Sequence, residues 1–250
     1  LTRGDDVDVP SLIEHLAADG LVFAADAAHA DWDAPVPHTD WNVRQLVTHL
    51  GGVQRWAAEI VETRSATGAT AAGEAVGSGP RDAELVEWFL DGHSVLVEAL
   101  SSAPADLDCF TFLAADSPLH FWARRQAHEM AVHRADVQAA AGREVTAFPT
   151  DFAQDGIAEM LLGFASRKSN AIDHPATLAL RPTDDGAAWL ARLGGERIVA
   201  ERGDSSDADV TVAGTSSELY LWLWNRTSVP EVTGDAEIAA LWQTVRVRWS

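Results

Sequence analysis

The hydrophobic pattern of this chain changes period once, near Pro149, and that change limits the folds open to it. Before it, apolar residues recur at the three- and four-residue spacing of helices that bury one face. After it come short runs with strand character, ATLALRP (176–182), ERIVAER (196–202) and ADVTVAG (208–214), separated by Gly, Pro and Asp. Helices followed by a mixed segment read as an α+β protein. The 250 residues suffice for two domains. The boundary is expected near 148–155, giving a helical bundle over 1–150 and a small α+β domain over 151–250.

Four helices are expected in the first part. Residues 11–31 carry Leu12, Leu16, Phe23 and Ala27 at helical spacing. A second helix starts at Asn42, with Gln45 three residues on as in a capping box. The Gly/Ala/Ser/Thr-rich stretch 65–81 reads as a loop, and a third helix spans about 82–101. The fourth opens at Ser117-Pro118, a cap followed by the favoured first-turn proline, and runs to Ala141 before Gly142. Four such helices suggest an antiparallel bundle. Beyond Pro149 the pattern predicts a helix over 151–168 and a hairpin turn at Gly194-Gly195 after WLARL. It also predicts a helix through ELYLWLWNR capped by Ser216 or Ser217, an extended VPEVTG, and a last helix from Asp235. The opening stretch LTRGDDVDVP has neither the apolar segment of a secretory signal nor an initiator Met, and is left outside the expected fold.

A net charge of −20 opposes binding to nucleic acid or to anionic membrane surfaces, which reward Lys and Arg. No apolar run approaches the length of a membrane span. The one cysteine, Cys109, excludes an internal disulfide and suits a reducing cytoplasm; it reads as a small buried residue. The ten tryptophans, from Trp32 to Trp249, are expected mostly in the core, with a minority lining a cleft.

The stretch RRQAHEMAVHRAD (124–136) resembles the zinc-protease signature H-E-x-x-H with one residue too many. Positions four apart on a helix share a face, whereas positions five apart diverge by roughly 140°. Glu129 and His133 can therefore meet one ion, and His128 points elsewhere. Trp122, Gln126, Glu129, His133 and Asp136/Val137 form a stripe whose ends suit a core and whose middle is polar. On the second helix, His49 lies on the otherwise apolar stripe His49, Val53, Trp56, Ile60. His49, Glu129 and His133 would make a three-ligand set with an open fourth position, the pattern of catalytic zinc. The bland alternatives are an ordinary i,i+4 surface pair and a hydrogen-bonded core histidine. Gly51-Gly52 marks either close helix packing or a local distortion beside His49. Asp136 is either a carboxylate behind His133 or, more usually, a partner of Arg134. Arg226 is either a helix-terminal residue complementing the dipole or a clamp for a carboxylate substrate.

These residues carry a resemblance. WNVRQLVTHLGG (41–52) resembles the W-(T/S)-V-x-(D/E)-L-x-x-H-L motif of the mycothiol-dependent maleylpyruvate isomerase family, within the DinB-like bundles. RQAHEMAVHRAD (125–136) resembles its second motif, and LYLWLWNR…EVTGDAEIAALW (219–242) its C-terminal domain, which is similar to sterol-carrier folds. The resemblance implies a DinB-like four-helix bundle followed by a sterol-carrier-like α+β domain. It implies a divalent metal, usually zinc, on His49, Glu129 and His133, with Arg226 as a functional arginine. It also implies mycothiol as the borrowed nucleophile, a small-molecule substrate, and cis–trans isomerisation of maleylpyruvate by thiol addition, rotation and elimination. A monomer is expected. Two further readings stay open: a mycothiol S-transferase acting on another electrophile, and a non-catalytic protein whose second domain binds an apolar ligand.

Overall fold

A computed structural model describes residues 7–203 and 206–247. Trp249 and the first six residues of the opening stretch lie outside these. The chain divides into two units, one from Val7 to Thr146 and one from Ala147 onward.

The first unit is helical. α1 (Val9–Ala27) begins inside the stretch left out of the expected fold: Asp8 caps it by accepting from the Ser11 N–H, and Pro10 sits in the first turn. It ends at Ala27, four residues before the expected limit, and buries Leu12, Leu16, Phe23 and Ala27. α2 (Val43–Thr63) starts with the expected capping box, in which the Asn42 side chain and Gln45 N–H pair at 2.9 Å and Gln45 Oε1 accepts from Asn42 N–H at 3.0 Å. The 65–81 segment contains one helical turn, α3 (Ala71–Glu74), capped by Thr70. α4 (Asp82–Ser102) and α5 (Pro118–Ala140) follow, the last capped by Ser117 and stopped before Gly142, whose φ is +67°. α1, α2 and α4 all pack on α5. Trp56 meets Trp122 while His49 meets Glu129, so α2 and α5 run antiparallel.

Burial on α5 extends well beyond the stripe through Glu129 and His133: it is the central helix, and every residue from Phe121 to Gln138 except Arg124 is buried. Arg125, His128, Arg134, Asp136 and Gln138 are therefore inside with Glu129 and His133. Burial alone does not single out the metal-competent pair. Among the described residues no helix is long and apolar enough to cross a membrane.

The second unit opens with α6 (Thr150–Ala158), which loosens into a π-helical segment (Glu159–Phe164) and a 3-10 turn (Lys168–Asn170) rather than continuing as one regular helix to 168. The strands are β1 (Thr177–Pro182), β2 (Trp189–Arg192), β3 (Val199–Arg202), β4 (Val210–Gly214) and β5 (Glu231–Gly234), with α7 (Ser216–Leu223) before β5 and α8 (Ala236–Leu241) after it. The sheet order is β3-β2-β1-β4-β5, with β1 and β4 parallel and the other pairs antiparallel. Gly194 turns between β2 and β3 at φ +85°, where an added Cβ would meet the Pro175 backbone at 2.3 Å. α7 is capped by Thr215 in a capping box with Glu218, not by Ser216 or Ser217. Those serines are buried and spent otherwise, Ser216 Oγ donating to Asp184 at 2.7 Å and Ser217 Oγ accepting from Phe148 N–H at 3.0 Å. The LYLWLW run is buried throughout, and Trp222 packs on Trp242.

Gly51-Gly52 is resolved in favour of close packing. A Cβ on Gly51 would lie 2.3 Å from the Trp88 ring of α4, and one on Gly52 would lie 3.0 Å from Val76 Cα. Arg55 holds Trp88 in place, its guanidinium 4.1 Å from the ring centroid and bonded to Gly51 O at 3.0 Å. Gly51→Ala gains up to about 1 kcal/mol of helix propensity. The overpacking against Trp88 costs about 1–3 kcal/mol. The expected net effect is a lower urea midpoint; an unchanged or raised midpoint would show that Trp88 yields freely.

Candidate metal centre

Each ligand of the expected trio owes its place to a local feature. The capping box fixes the start of α2, so His49 falls two turns in, on the face toward α5. The loop before it is pinned by Val36 N–H on Trp41 O at 2.8 Å and Val43 N–H on Ala34 O at 3.1 Å. Arg44 ties the same region to the start of α4 through Asp82 at 2.6 and 2.8 Å, and to Asp33 at 2.7 Å. Trp41 thereby lies against both imidazoles, 4.6 Å from His49 and 5.9 Å from His133 between centroids.

The structure brings His49, Glu129 and His133 together, with one ligand atom of each within 4.8 Å of the others. Glu129 Oε1 faces His49 Nε2 at 3.4 Å and His133 Nε2 at 3.3 Å. Those separations are long for N–H···O bonds, which cluster below about 3.2 Å. They match the edge of a tetrahedron, since bonds of about 2.0–2.2 Å to a central ion put ligand atoms roughly 3.4 Å apart. The donor set fits a divalent ion.

The surroundings orient these donors. His133 Nδ1 lies 2.7 Å from Asp136 Oδ2, so the carboxylate holds the Nδ1–H tautomer and leaves Nε2 as the free donor. Asp136 thus stands behind His133; Arg134, its more usual partner by spacing, reaches Asp19 at 3.2 Å. Glu129 Oε2 accepts from Arg125 at 2.9 Å. Burial would raise the Glu129 pKa, but its contacts with His133 and His49, and the charges of His133 and Arg125, hold it well below the ordinary carboxylate value. Burial would lower the His133 pKa, but Asp136 and Glu129 push it up to about 9.

His128 is not among the donors that converge. It is near enough to Asp19 of α1 to act on its charge. Burial raises the Asp19 pKa, while Arg134, His15 and His128 oppose the rise. Cys109 is half-buried, and burial raises its pKa above the ordinary thiol value. Arg226 lies in the second unit just after α7, half-buried, with Nη1 donating to Trp224 O at 2.9 Å. Sequence reasoning missed Arg125 and Trp41. Arg125 was visible as one more i,i+4 step in Arg125, Glu129, His133; Trp41 contacts the imidazoles through the loop before α2, which carries no period.

Residues 13–138 match the family described as mycothiol maleylpyruvate isomerase N-terminal domain, and residues 151–241 match the MDMPI C-terminal domain. No curated protein matches the sequence. A crystal structure of mycothiol-dependent maleylpyruvate isomerase superposes with a TM-score of 0.61 at 13% identity, covering 89% of this chain and 91% of that one. A histidine-to-alanine mutant of that enzyme gives 0.62 at 12% identity with the same coverage. At such identity the superpositions establish the mixed α+β fold. The two domain matches between them span most of the sequence, and the chain belongs to the mycothiol maleylpyruvate isomerase family of enzymes.

Proposed function

We propose that this protein is a metal- and mycothiol-dependent enzyme that isomerises maleylpyruvate-like cis-unsaturated oxo acids by reversible thiol addition. The observation carrying this reading is the convergence of His49, Glu129 and His133 in a chain of this family. They are three donors, one short of a closed tetrahedral shell. They would hold a divalent ion, zinc by donor type, and its Lewis acidity would lower the pKa of a thiol presented to it.

The chain's own groups favour an anionic partner there. Arg125 offsets one of the two carboxylates, Glu129 and Asp136. With neutral imidazoles and a divalent ion, these groups sum to about +1, which suits a thiolate. Asp136 keeps His133 in the donor tautomer, and Trp41 covers both imidazoles with an apolar ring. The thiolate forms one C–S bond to the cis double bond while the electron pair passes to the conjugated carbonyl as an enolate. Rotation about the resulting single bond precedes collapse of the enolate, which re-forms the double bond in trans and expels the thiolate. Arg226 is assigned the role of holding a substrate carboxylate.

Incubation of the metal-loaded protein with mycothiol and maleylpyruvate should yield fumarylpyruvate, and Arg226→Met should raise KM for the oxo acid about tenfold or more. Stable thiol adducts on other electrophiles without fumarylpyruvate would instead place the protein among thiol S-transferases. His49→Ala should lose most bound metal by elemental analysis while His128→Ala retains it; equal loss would refute the assignment of ligands. In the metal-free protein His133 stays protonated up to about pH 9, so metal entry must expel that proton. Apparent affinity, read by competition with a chromogenic chelator, should rise about tenfold per pH unit and level off above that value. A pH-independent affinity would contradict the protonation assigned to His133.

A further inference from the structure

Gln126 is 1% exposed, and neither amide atom has a hydrogen-bond partner among the described residues. A buried primary amide with both its donor and its acceptor unpaired is costly, and such groups call for a ligand or a function. Its place on α5 says which. Seven residues separate it from His133 and three from Glu129, so it lies within roughly 20° and 60° of them around the helix axis. Helical side chains lean toward the N-terminus, which carries the Glu129 carboxylate over the turn holding Gln126; the Arg125–Glu129 bond shows that lean directly. On α2, the level between the Trp56–Trp122 contact and the His49–Glu129 contact is occupied by Val53, which offers no polar atom.

We infer that Gln126 recognises the amide portion of the thiol cofactor, beside the sulfur that the trio would bind. This rests on the proposed thiol chemistry and extends it. The choice of ligand follows from hydrogen-bond complementarity. A substrate carboxylate offers acceptors only, and would leave Gln126 Oε1 unpaired. A secondary amide offers an N–H to Oε1 and a carbonyl to Nε2–H, satisfying both ends at once. In a cysteine-derived thiol such amides lie three to four bonds from sulfur, a reach of about 4 Å comparable to the rise of about 4.5 Å between Gln126 and Glu129. The hydroxyl-only thiol 2-mercaptoethanol lacks that pair.

The test uses cobalt-substituted full-length protein, in which thiolate binding is read from sulfur-to-cobalt charge-transfer absorption, independent of turnover. The wild type should bind mycothiol and the methylamide of N-acetylcysteine at least tenfold more tightly than 2-mercaptoethanol. Gln126→Leu should abolish that preference while keeping cobalt stoichiometry and 2-mercaptoethanol binding, and its thermal midpoint should be equal or higher because a buried unpaired amide is gone. Gln126→Met serves as the second variant should the branched side chain fit poorly. Retention of the amide preference in either folded variant would overturn the inference, as would loss of cobalt or of 2-mercaptoethanol binding, which would mark Gln126 as structural. Failure of the wild type to bind cobalt or any thiol would instead overturn the parent reading, so the two failures are distinguishable.

Discussion

A carboxylate sits fully inside the first unit, and most of that unit is arranged to make it tolerable. An unpaired buried charge is prohibitive. Glu129 escapes that cost because Arg125 occupies one oxygen and two imidazoles face the other. The requirement propagates outward. His49 must arrive on the correct face of α2, which makes the Asn42–Gln45 capping box a positional device as much as a stabilising one. Trp41 must close over the rings, and the Arg44 pairs with Asp33 and Asp82 hold the loop that brings it there. The spacing of the three donors follows from these placements.

Close packing sets the other limit. α2 approaches α4 at Gly51, where no side chain intervenes before the Trp88 ring, and Arg55 clamps that ring. The glycine pair two and three residues past His49 therefore sets how deeply α2 seats, and with it the reach of His49. In the second unit the equivalent tight point is Gly194 against Pro175, which fixes the turn between β2 and β3.

What the sequence made legible had a period or a cap. The helices of the first unit, the change to strands after Pro149 and the pairing of Glu129 with His133 rather than His128 all follow from spacing. Three things did not. The total burial of α5 is a property of three neighbours packing on one helix, which the spacing of its own residues, rich in Arg, His and Gln, does not carry. The role of Asp136 turned on which of two possible partners, His133 or Arg134, the fold would bring to it, and only the packing of α1 against α5 supplied Arg134 with Asp19. The cap of α7 is ambiguous in sequence because three hydroxyl residues stand in a row at 215–217, and the capping box with Glu218 selects the first.

α5 carries polar groups on opposite flanks that are matched to different neighbours. Glu129 and His133 answer His49 on one side, while Arg134 answers Asp19 and Gln138 exchanges bonds with Thr146 on the other. An apolar central helix could slide or rotate among near-equivalent seatings, since one leucine replaces another at little cost. This one cannot: a shift of a single residue would strand a carboxylate on one flank and a guanidinium on the other together. The helix is thus keyed from both sides, and the polarity that looks like a burden on the core gives the bundle one register in which His49, Glu129 and His133 meet.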